Sequence, residues 1–289
     1  MNELKNKNLF YVGGIVRDEI LKIPNFDTDM CYEGNAIEYA EKNGLNIIKK
    51  NPDFGTVRIL LEDKEIDIAS TREEDYPKAG HLPQVKNIGC LLNLDLKRRD
   101  FTINAIAKNT ITKEIFDPYN GQSDIKNRIL RVLHSKSFID DPTRIVRGLK
   151  FSVRFNFELE PETKKLQEQY LDNINYDMSY HRLKKELMET FNLNNGKAFD
   201  LFIEQKIYKL LGENQKAPKI SGEYIEKTIK KYNIDKPWII YLSFFNDLPF
   251  QFTKKEKQII EYASKTDLIN SNCSIESIVI SELKKELEC

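Results

Sequence analysis

The sequence predicts an α+β fold, in which an N-terminal head with a mixed β-sheet and helices is followed by an all-helical neck, body and short tail. Short apolar runs typical of strands occur only up to about Phe116, between helical stretches. After a Pro/Gly cluster at 117–121, helical patterns rich in Lys, Glu, Leu and Ile continue to the end of the 289 residues. We therefore expect a head over 1–118, a neck over 119–180, and a body with tail over 181–289.

The head begins with a predicted strand at 9–12. Two further apolar runs, 57–61 and 65–69, are separated by the polar residues Glu62-Asp63-Lys64 and predict a hairpin. The run at 103–107 is compatible with a strand or a helix, because a short apolar run does not distinguish the side-chain repeat of a strand from that of a helix. The alternation of strands with helices predicts an α/β arrangement for this part of the chain.

The composition limits the classes of function. Forty-five basic residues balance forty-five acidic ones, so the chain is not uniformly basic and any contact with nucleic acid must be local. The four cysteines show no Cys-x-x-Cys spacing and only three histidines could join them, which argues against a zinc site. The first residues are too polar for a signal peptide and no apolar run is long enough to cross a bilayer, so we expect a cytoplasmic location.

A glycine pair follows the first strand and precedes a helix. Gly13 and Gly14 can adopt backbone angles closed to other residues, which would let N–H groups approach phosphate oxygens. Arg17, in the first turn of the helix, could then reach a triphosphate with its planar fork of donors. An ordinary strand-to-helix turn accounts equally well for the glycines alone.

Three carboxylates are candidates for a metal-assisted site. Asp27 and Asp29 lie two residues apart, so on a strand their side chains would point to the same face. Such a pair can bind two Mg²⁺ ions about 4 Å apart. Asp67 lies between Ile66 and Ile68, and alternation would bury the isoleucines and turn Asp67 toward the other two. Alternatively, the pair is a solvated strand end and Asp67 faces solvent on an edge strand.

Two further segments carry clustered charge. The run 97–104 places three cations beside an acid and an amide at the start of an apolar segment, which is a reasonable mouth for a phosphate site. Downstream, Asp140 or Asp141 is placed to N-cap a helix whose first turn contains Pro142. Positions three or four apart share a helix face, and this spacing groups four polar residues: Asp141, Arg144, Arg147 and Lys150.

Taken in order along the chain, these motifs resemble the class II tRNA nucleotidyltransferase and bacterial poly(A) polymerase family, within the polymerase-beta-like nucleotidyltransferase superfamily. The resemblance covers about residues 9–186. It is carried by Gly13-Gly14-x-Val16-Arg17-Asp18, Asp27-x-Asp29, Arg98-Arg99-Asp100-Phe101-Thr102-Ile103-Asn104-Ala105, Asp117-Pro118-Tyr119-Asn120-Gly121 with Asp124-Ile125, and Asp140-Asp141-Pro142-x-Arg144-x-x-Arg147. The chain has Asp140, Lys150 and His181 where the family usually has Glu, Arg and Glu.

The resemblance implies roles for the candidate site residues. Asp27 and Asp29 would bind the catalytic Mg²⁺ ions, and Asp67, inferred from its alternation on the strand, is the third candidate catalytic carboxylate. The incoming nucleotide would be bound by residues of the head, namely Gly13, Gly14, Arg17, Asp18, Arg99, Asp100 and Asn104. The Watson–Crick edge of its base would face the polar helix stripe, formed by Asp141, Arg144, Arg147 and Lys150, so that protein side chains act as the template.

The resemblance also implies an activity and partners. We expect template-independent addition of CMP and AMP, from CTP and ATP, to the 3′ end of tRNA to build or repair the CCA terminus. A poly(A) polymerase or an enzyme adding only CC or only A is the alternative, and a catalytically silent RNA-binding protein is a remote one. The segment 70–96 corresponds to a mobile loop thought to affect this choice. Candidate RNA contacts are Arg128, Arg131, Lys164, Lys165, Arg182, Lys184, Lys185, Lys254, Lys255 and Lys257.

Overall fold

The structure is a computed structural model, which describes residues 4–25, 28–263 and 274–288. Its described residues divide into two compact units, one within Met1–Asp140 and Glu158–Thr163, the other within Asp141–Phe157 and Lys164–Cys289. The first unit contains a mixed sheet with helices and the second is built from helices, which confirms the predicted α+β class. The division into head, neck and body at 118 and 180 stays a prediction.

The first unit is organised around a seven-stranded sheet with the order β3-β4-β5-β2-β1-β8-β9. The strands of the described chain are β1 (Leu9–Val12), β2 (Asp29–Tyr32), β3 (Ile47–Asn51), β4 (Thr56–Leu61), β5 (Lys64–Ser70), β6 (Arg72–Asp75), β7 (Gln84–Ile88), β8 (Ala107–Asn109), β9 (Ile115–Phe116), β10 (Ile129–Leu130) and β11 (Glu158–Leu159). Within the large sheet β2 and β5 are parallel. The other neighbouring strands pair antiparallel.

Helices occur in both units. They are α1 (Gly14–Leu21), α2 (Ala36–Lys42), α3 (Leu92–Lys97), α4 (Gly121–Asn127), α5 (Ser137–Asp140), α6 (Thr143–Phe155), α7 (Pro161–Asp172), α8 (Tyr180–Phe191), α9 (Gly196–Glu204), α10 (Gly222–Lys231), α11 (Pro237–Leu242), α12 (Lys254–Ala263) and α13 (Ile275–Glu288). In the part of the chain that the structure describes, no helix is long and apolar enough to span a bilayer.

The local predictions for the head are confirmed. The first strand, the helix after the glycine pair and the hairpin β4–β5 all form where the pattern places them. The hairpin turns at Glu62 and Asp63, which both have positive φ. The ambiguous run at 103–107 divides into a 3₁₀ turn at Thr102–Asn104 and the start of β8.

The two faces of the sheet have different coverings. On one face the apolar side chains of the strands pack against α2, in a core that includes Met30, Ile59, Ile68, Tyr39 and Ala40. On the other face a second core, with members from β1, β2, β8 and α3, covers the part of the sheet around β1. The same face at β2, β5, β4 and β3 is lined by polar side chains and forms a cavity. This covering leaves polar groups of the central strands accessible to a ligand.

The segment 70–96, expected to correspond to a mobile loop, contains the antiparallel pair β6–β7. Arg72 and Glu74 of β6 form an ion pair at 2.7 Å, and Glu74 also pairs with Arg98 at 3.1 Å. These contacts connect the β6–β7 hairpin to the cationic run that follows α3.

The second unit has an aromatic core between its helices. Helix α6 packs against α8 and α9, and α8 packs against α11. Phe191 of α8 stacks on Tyr241 of α11 at 5.1 Å between ring centroids and contacts Phe202 of α9 edge-on at 5.3 Å. These large buried rings fix α8 relative to its neighbours, and α8 in turn faces the polar residues of α6.

Candidate active site

Two of the three predicted catalytic carboxylates lie side by side on the uncovered face of the sheet. Asp29 and Asp67 are direct partners in the register of β2 and β5. Ile66 and Ile68 are buried while Asp67 is exposed, as the alternation predicted. Strand β5 lies between β4 and β2, so the alternative of an edge strand is wrong. Both carboxylates line a cavity of about 500 Å³.

Asp27 lies outside the described residues, so its predicted place beside Asp29 stays a prediction. Among the residues that the structure does describe, no group of three or more acids, histidines or cysteines is close enough to hold a metal ion. Asp29 nevertheless offers an exposed carboxylate in a cavity. Hard oxygen ligands of this kind suit Mg²⁺, which usually takes one or two carboxylates and completes its shell with water and phosphate oxygens.

Cations flank the carboxylates in the same cavity. Arg58 of β4 donates to both oxygens of Asp67, from Nε to Oδ1 at 2.8 Å and from Nη2 to Oδ2 at 2.7 Å. Its remaining nitrogen Nη1 donates to Glu65 at 3.1 Å. Lys49 and Arg99 also line the cavity. An anionic ligand with a bound divalent cation would therefore meet both signs of charge here.

The glycine turn lies directly beside Arg99. Gly13 has a φ of +68°, which glycine adopts without the strain that a side chain would bring, and its N–H donates to the Ile106 carbonyl at 3.2 Å. A Cβ on Gly13 would come within 3.0 Å of Arg99 Nη1. Gly14 begins helix α1. The turn thus brings a helix N-terminus and a guanidinium together, the combination that binds anions.

Arg17 is placed differently from the expectation. The sequence suggested that its fork of donors would reach a triphosphate, but Arg17 is buried and its donors are used within the protein. Nε donates to Asp18 Oδ1 at 2.8 Å and Nη1 donates to Asn104 Oδ1 at 2.6 Å. Asn104 in turn donates to Asp100 at 3.0 Å. The four residues form one hydrogen-bonded network under the glycine turn.

Asp95 is a residue of this site that the sequence analysis missed. It is fully buried, and its Oδ2 accepts from Arg99 Nη2 at 3.0 Å while its Oδ1 accepts from Arg98 Nη2 at 2.7 Å. Burial opposes ionisation, but the attraction of Arg99 and Arg98 outweighs it and lowers the pKa of Asp95 from its ordinary value. The carboxylate therefore holds two guanidinium groups in fixed positions, and the one belonging to Arg99 lines the cavity.

In the second unit Asp141 lies two residues before the start of helix α6, and Pro142 rather than an aspartate is the N-cap residue. Asp141 Oδ1 accepts from the Thr143 N–H at 3.1 Å and from the Thr143 hydroxyl at 2.6 Å. Its Oδ2 accepts from Arg182 of α8. Pro142 lies immediately before Thr143, and Asp140 instead ends α5. Asp141 is thus oriented by hydrogen bonds to both oxygens.

Two further residues of the predicted polar stripe contact acids on α8. Lys150 Nζ lies 2.8 Å from Glu186 and 2.6 Å from Glu189, and Arg147 pairs with Glu186 at 3.4 Å. Burial of Glu189 opposes ionisation, but its hydrogen bond with Lys150 outweighs this and lowers the pKa of that carboxyl. Arg144 is buried beside them on α6. The acids on α8 belong to this cluster and were not predicted.

At least four residues expected to contact RNA have ion-pair partners within the protein, and two of these are no more than a quarter exposed. Arg182 pairs with Asp141, and Lys184 is mostly buried, 2.9 Å from Glu256 and 5.2 Å from the Trp238 ring centroid. The sequence predicts RNA contacts here because clustered cations can bind phosphate groups, with a solvated helix face as the alternative. The partners of Arg182 and Lys184 lie far away in the sequence, so no local pattern would have revealed them.

These features define a nucleotidyltransferase head of the poly(A) polymerase type. Residues 9–131, which contain the sheet, the glycine turn and the carboxylates, match the family described as the poly A polymerase head domain. Together with the relatives below, this places the chain in the class II tRNA nucleotidyltransferase and bacterial poly(A) polymerase family, as the motifs predicted.

The relatives are tRNA-processing enzymes. The chain is 35% identical over 230 residues to the A-adding tRNA nucleotidyltransferase of Halalkalibacterium halodurans, covering 74% of this chain and 53% of that one. It is 30% identical over 216 residues to the CCA-adding enzyme of Staphylococcus epidermidis, covering 73% and 53%. The solved CCA-adding enzyme of Thermotoga maritima, complexed with tRNA, superposes with a TM-score of 0.73 at 25% identity over 97% of this chain and 77% of that one. The chain spans about half the length of the two sequence relatives.

Proposed function

We propose that this protein adds nucleotides to the 3′ end of tRNA without a nucleic-acid template, using CTP and ATP to build or repair the CCA terminus. The observation that carries the proposal is the pairing of Asp29 with Asp67 in one cavity with Arg99, next to the Gly13 turn. Relatives named as A-adding and CCA-adding enzymes support tRNA as the substrate. We assign catalysis to residues 1–118, nucleotide selection to 119–180 and RNA binding to 181–289.

The head residues divide into direct and indirect roles. Arg99 and the N–H groups at the start of α1 supply donors for the oxygens of a triphosphate. Arg17 is buried, does not line the cavity and donates to Asp18 and Asn104, so we assign it to orienting Asn104. Mg²⁺ held by Asp27 and Asp29 would supply Lewis-acid stabilisation of the reacting phosphate and hydroxyl oxygens. Asp67 adds a further carboxylate on the same face.

Asp141 and Arg144 provide a chemical basis for nucleotide selection. A carboxylate acceptor and a guanidinium donor match the amino group and ring nitrogen that cytosine and adenine share. Uracil and guanine present the opposite pattern, with an acceptor in place of the amino group and a donor at the ring nitrogen, so neither could form this pair with Asp141 and Arg144. Arg182 fixes the direction of the Asp141 carboxylate. The helix α6 would thus perform the task of a template base.

An enzyme that adds only the terminal A is the second candidate. It is favoured by the A-adding tRNA nucleotidyltransferase of H. halodurans, which is 35% identical, against 30% for the CCA-adding enzyme of S. epidermidis. The two candidates use the same carboxylates and differ in the RNA end that they accept.

The test is extension of tRNAs that end before CCA, after C, or after CC, with CTP alone, ATP alone and both, in Mg²⁺, resolved at single-nucleotide length. Growth to CCA that then stops supports the proposal, and addition only after CC supports the second candidate. Asp29→Asn should lower the extension rate by at least about a thousandfold. Asp53→Asn, a matched change at an exposed Asp of the same unit, should leave it unchanged. Wild-type protein that binds tRNA but extends none of these RNAs would refute the proposal.

A further inference from the structure

A row of four charged side chains crosses four neighbouring strands on the cavity face. Lys49 of β3 is paired with Arg58 of β4, Arg58 with Asp67 of β5, and Asp67 with Asp29 of β2. Direct partners in a sheet point to the same face, and all four line the cavity. Two cations therefore continue the line that begins with the two carboxylates. The catalytic scheme above uses only the carboxylates.

The order of strands places these cations opposite the glycine turn. Strand β2, with Asp29, lies between β1 on one side and β5, β4 and β3 on the other. The Gly13 turn follows β1, whereas Arg58 and Lys49 lie two and three strands away from β2 on the other side. With neighbouring strands about 4.8 Å apart, the row extends roughly 10–15 Å beyond Asp29.

The geometry of nucleotidyl transfer indicates a role for the two cations Arg58 and Lys49. The attacking hydroxyl and the leaving pyrophosphate lie on opposite sides of the phosphorus atom in an in-line displacement. If the triphosphate lies at the glycine turn, the RNA strand must approach Asp29 from the side of β5 and β4. The phosphodiester groups behind its 3′ end would then pass over Arg58 and Lys49.

The ion pair of Arg58 can be exchanged for another anion. The side chains of Arg58 and Asp67 are 44% and 50% exposed, and ion pairs at such positions contribute little net stability. A phosphate offers a guanidinium the same two-oxygen geometry as the carboxylate that it now binds. Lys49 is exposed on the edge strand β3 and supplies a second positive charge.

We propose that Arg58 and Lys49 bind phosphodiester groups of the RNA strand next to its reacting 3′ end, and that Arg58 leaves Asp67 for a phosphate when the RNA binds. The inference rests on the proposed function and names a binding surface for its RNA substrate. The release of Asp67 also frees its carboxylate at the moment when the RNA hydroxyl arrives.

The test compares two variants. One carries both Lys49→Gln and Arg58→Gln, and the control carries Lys64→Gln alone. Lys64 is an exposed cation on β5 whose side chain alternates to the face opposite Asp67. In extension of tRNA lacking CCA with CTP and Mg²⁺, the double variant should raise the KM for tRNA about tenfold and leave the KM for CTP within about twofold. Arg58→Lys, which keeps the charge but loses the planar fork, should give an intermediate value. Lys64→Gln should match the wild type.

Direct binding separates this inference from the proposed function. Fluorescence anisotropy of a labelled tRNA lacking CCA should show a salt dependence of log affinity that is shallower by about one to two in the double variant. An unchanged KM and an unchanged salt slope would overturn the inference while extension continues. A rise confined to the KM for CTP would also overturn it, since the cations would then serve the triphosphate. A wild-type protein without extension would count against the proposed function, and the salt slope would still test the RNA surface.

Discussion

Replacing Asp95 with Asn is expected to weaken both the head unit and its hold on the nucleotide. The carboxylate accepts from Nε and Nη2 of Arg98 at 2.9 and 2.7 Å and from Nε and Nη2 of Arg99 at 3.3 and 3.0 Å. It also accepts from the Arg72 N–H at 3.2 Å. An amide of the same size has no charge and only one acceptor oxygen, so two neighbouring guanidinium groups would lose their counter-ion.

The size of the effect follows from the burial of these groups. Removing one partner of a buried ion pair costs about 3–5 kcal/mol. Both arginine side chains are 18% exposed, and Arg98 keeps Glu74 as a partner at 3.1 Å, so we expect roughly 2–4 kcal/mol. For a unit of this size that corresponds to a fall in Tm of roughly 5–15 °C. The KM for CTP should rise about tenfold, because Arg99 loses its fixed orientation.

The assay is urea unfolding followed by circular dichroism, with the KM for CTP measured on the same samples. Since the chain has two compact units, the transition of the head unit is the one that should move. Asp53→Asn is the matched control, because Asp53 is exposed in the same unit, and it should change stability by less than about 0.5 kcal/mol. If Asp95→Asn unfolds at the same urea concentration as this control and keeps the wild-type KM, Asp95 does not hold the arginines as described.

Three further predictions concern pH, the glycine turn and base selection. The lowered pKa of Asp95 means that its contribution is present above the unfolded-state value of about 3.9 and is lost as pH falls through the folded-state value, so the stability gap between wild type and Asp95→Asn should shrink in urea titrations below about pH 4. Gly13→Ala should raise the KM for CTP several-fold more than Gly44→Ala, because both glycines have positive φ but only the first would bring a Cβ within 3.0 Å of a guanidinium; equal KM values would contradict this. Arg182→Gln should raise UTP incorporation relative to CTP about tenfold, because Asp141 loses the donor that orients it, and unchanged selectivity in single-nucleotide assays would disprove that role.

The sequence allowed a correct prediction where the alternation of a strand and the polar residues of a turn lie close together in the chain. The hairpin β4–β5 could be predicted because alternation and a polar turn lie within fifteen consecutive residues, 56–70. Its alternation also placed Asp67 on the correct face. The parallel pairing of β2 with β5 could not be predicted, because the strands are separated by other elements and no local pattern selects the partner. That pairing is what brings Asp29 beside Asp67.

The site residues also divide into those that a local sequence pattern could reveal and those that it could not. Asp95 was missed because it alternates with leucines in α3 and resembles the polar side of an amphipathic helix. The usable signal was its spacing of three and four residues before Arg98 and Arg99, which places acid and base on one face. The buried state of Arg17 could not be inferred, since its partner Asn104 is 87 residues away. Charge alone does not tell a ligand-binding arginine from one that orients a neighbour.

The position of β1 determines when the site can form during folding. Strand β1 pairs with β2 on one side and with β8 on the other, and its Phe10 is aligned with Asn109. The β4–β5 hairpin closes a short loop and can form within microseconds, whereas β1 and β8 must first close a loop of about a hundred residues. At synthesis rates of about 5–20 residues per second, β8 leaves the ribosome roughly 5–20 seconds after β1. A nascent chain that ends before Ala107 could therefore hold the hairpin but not the completed nucleotide site.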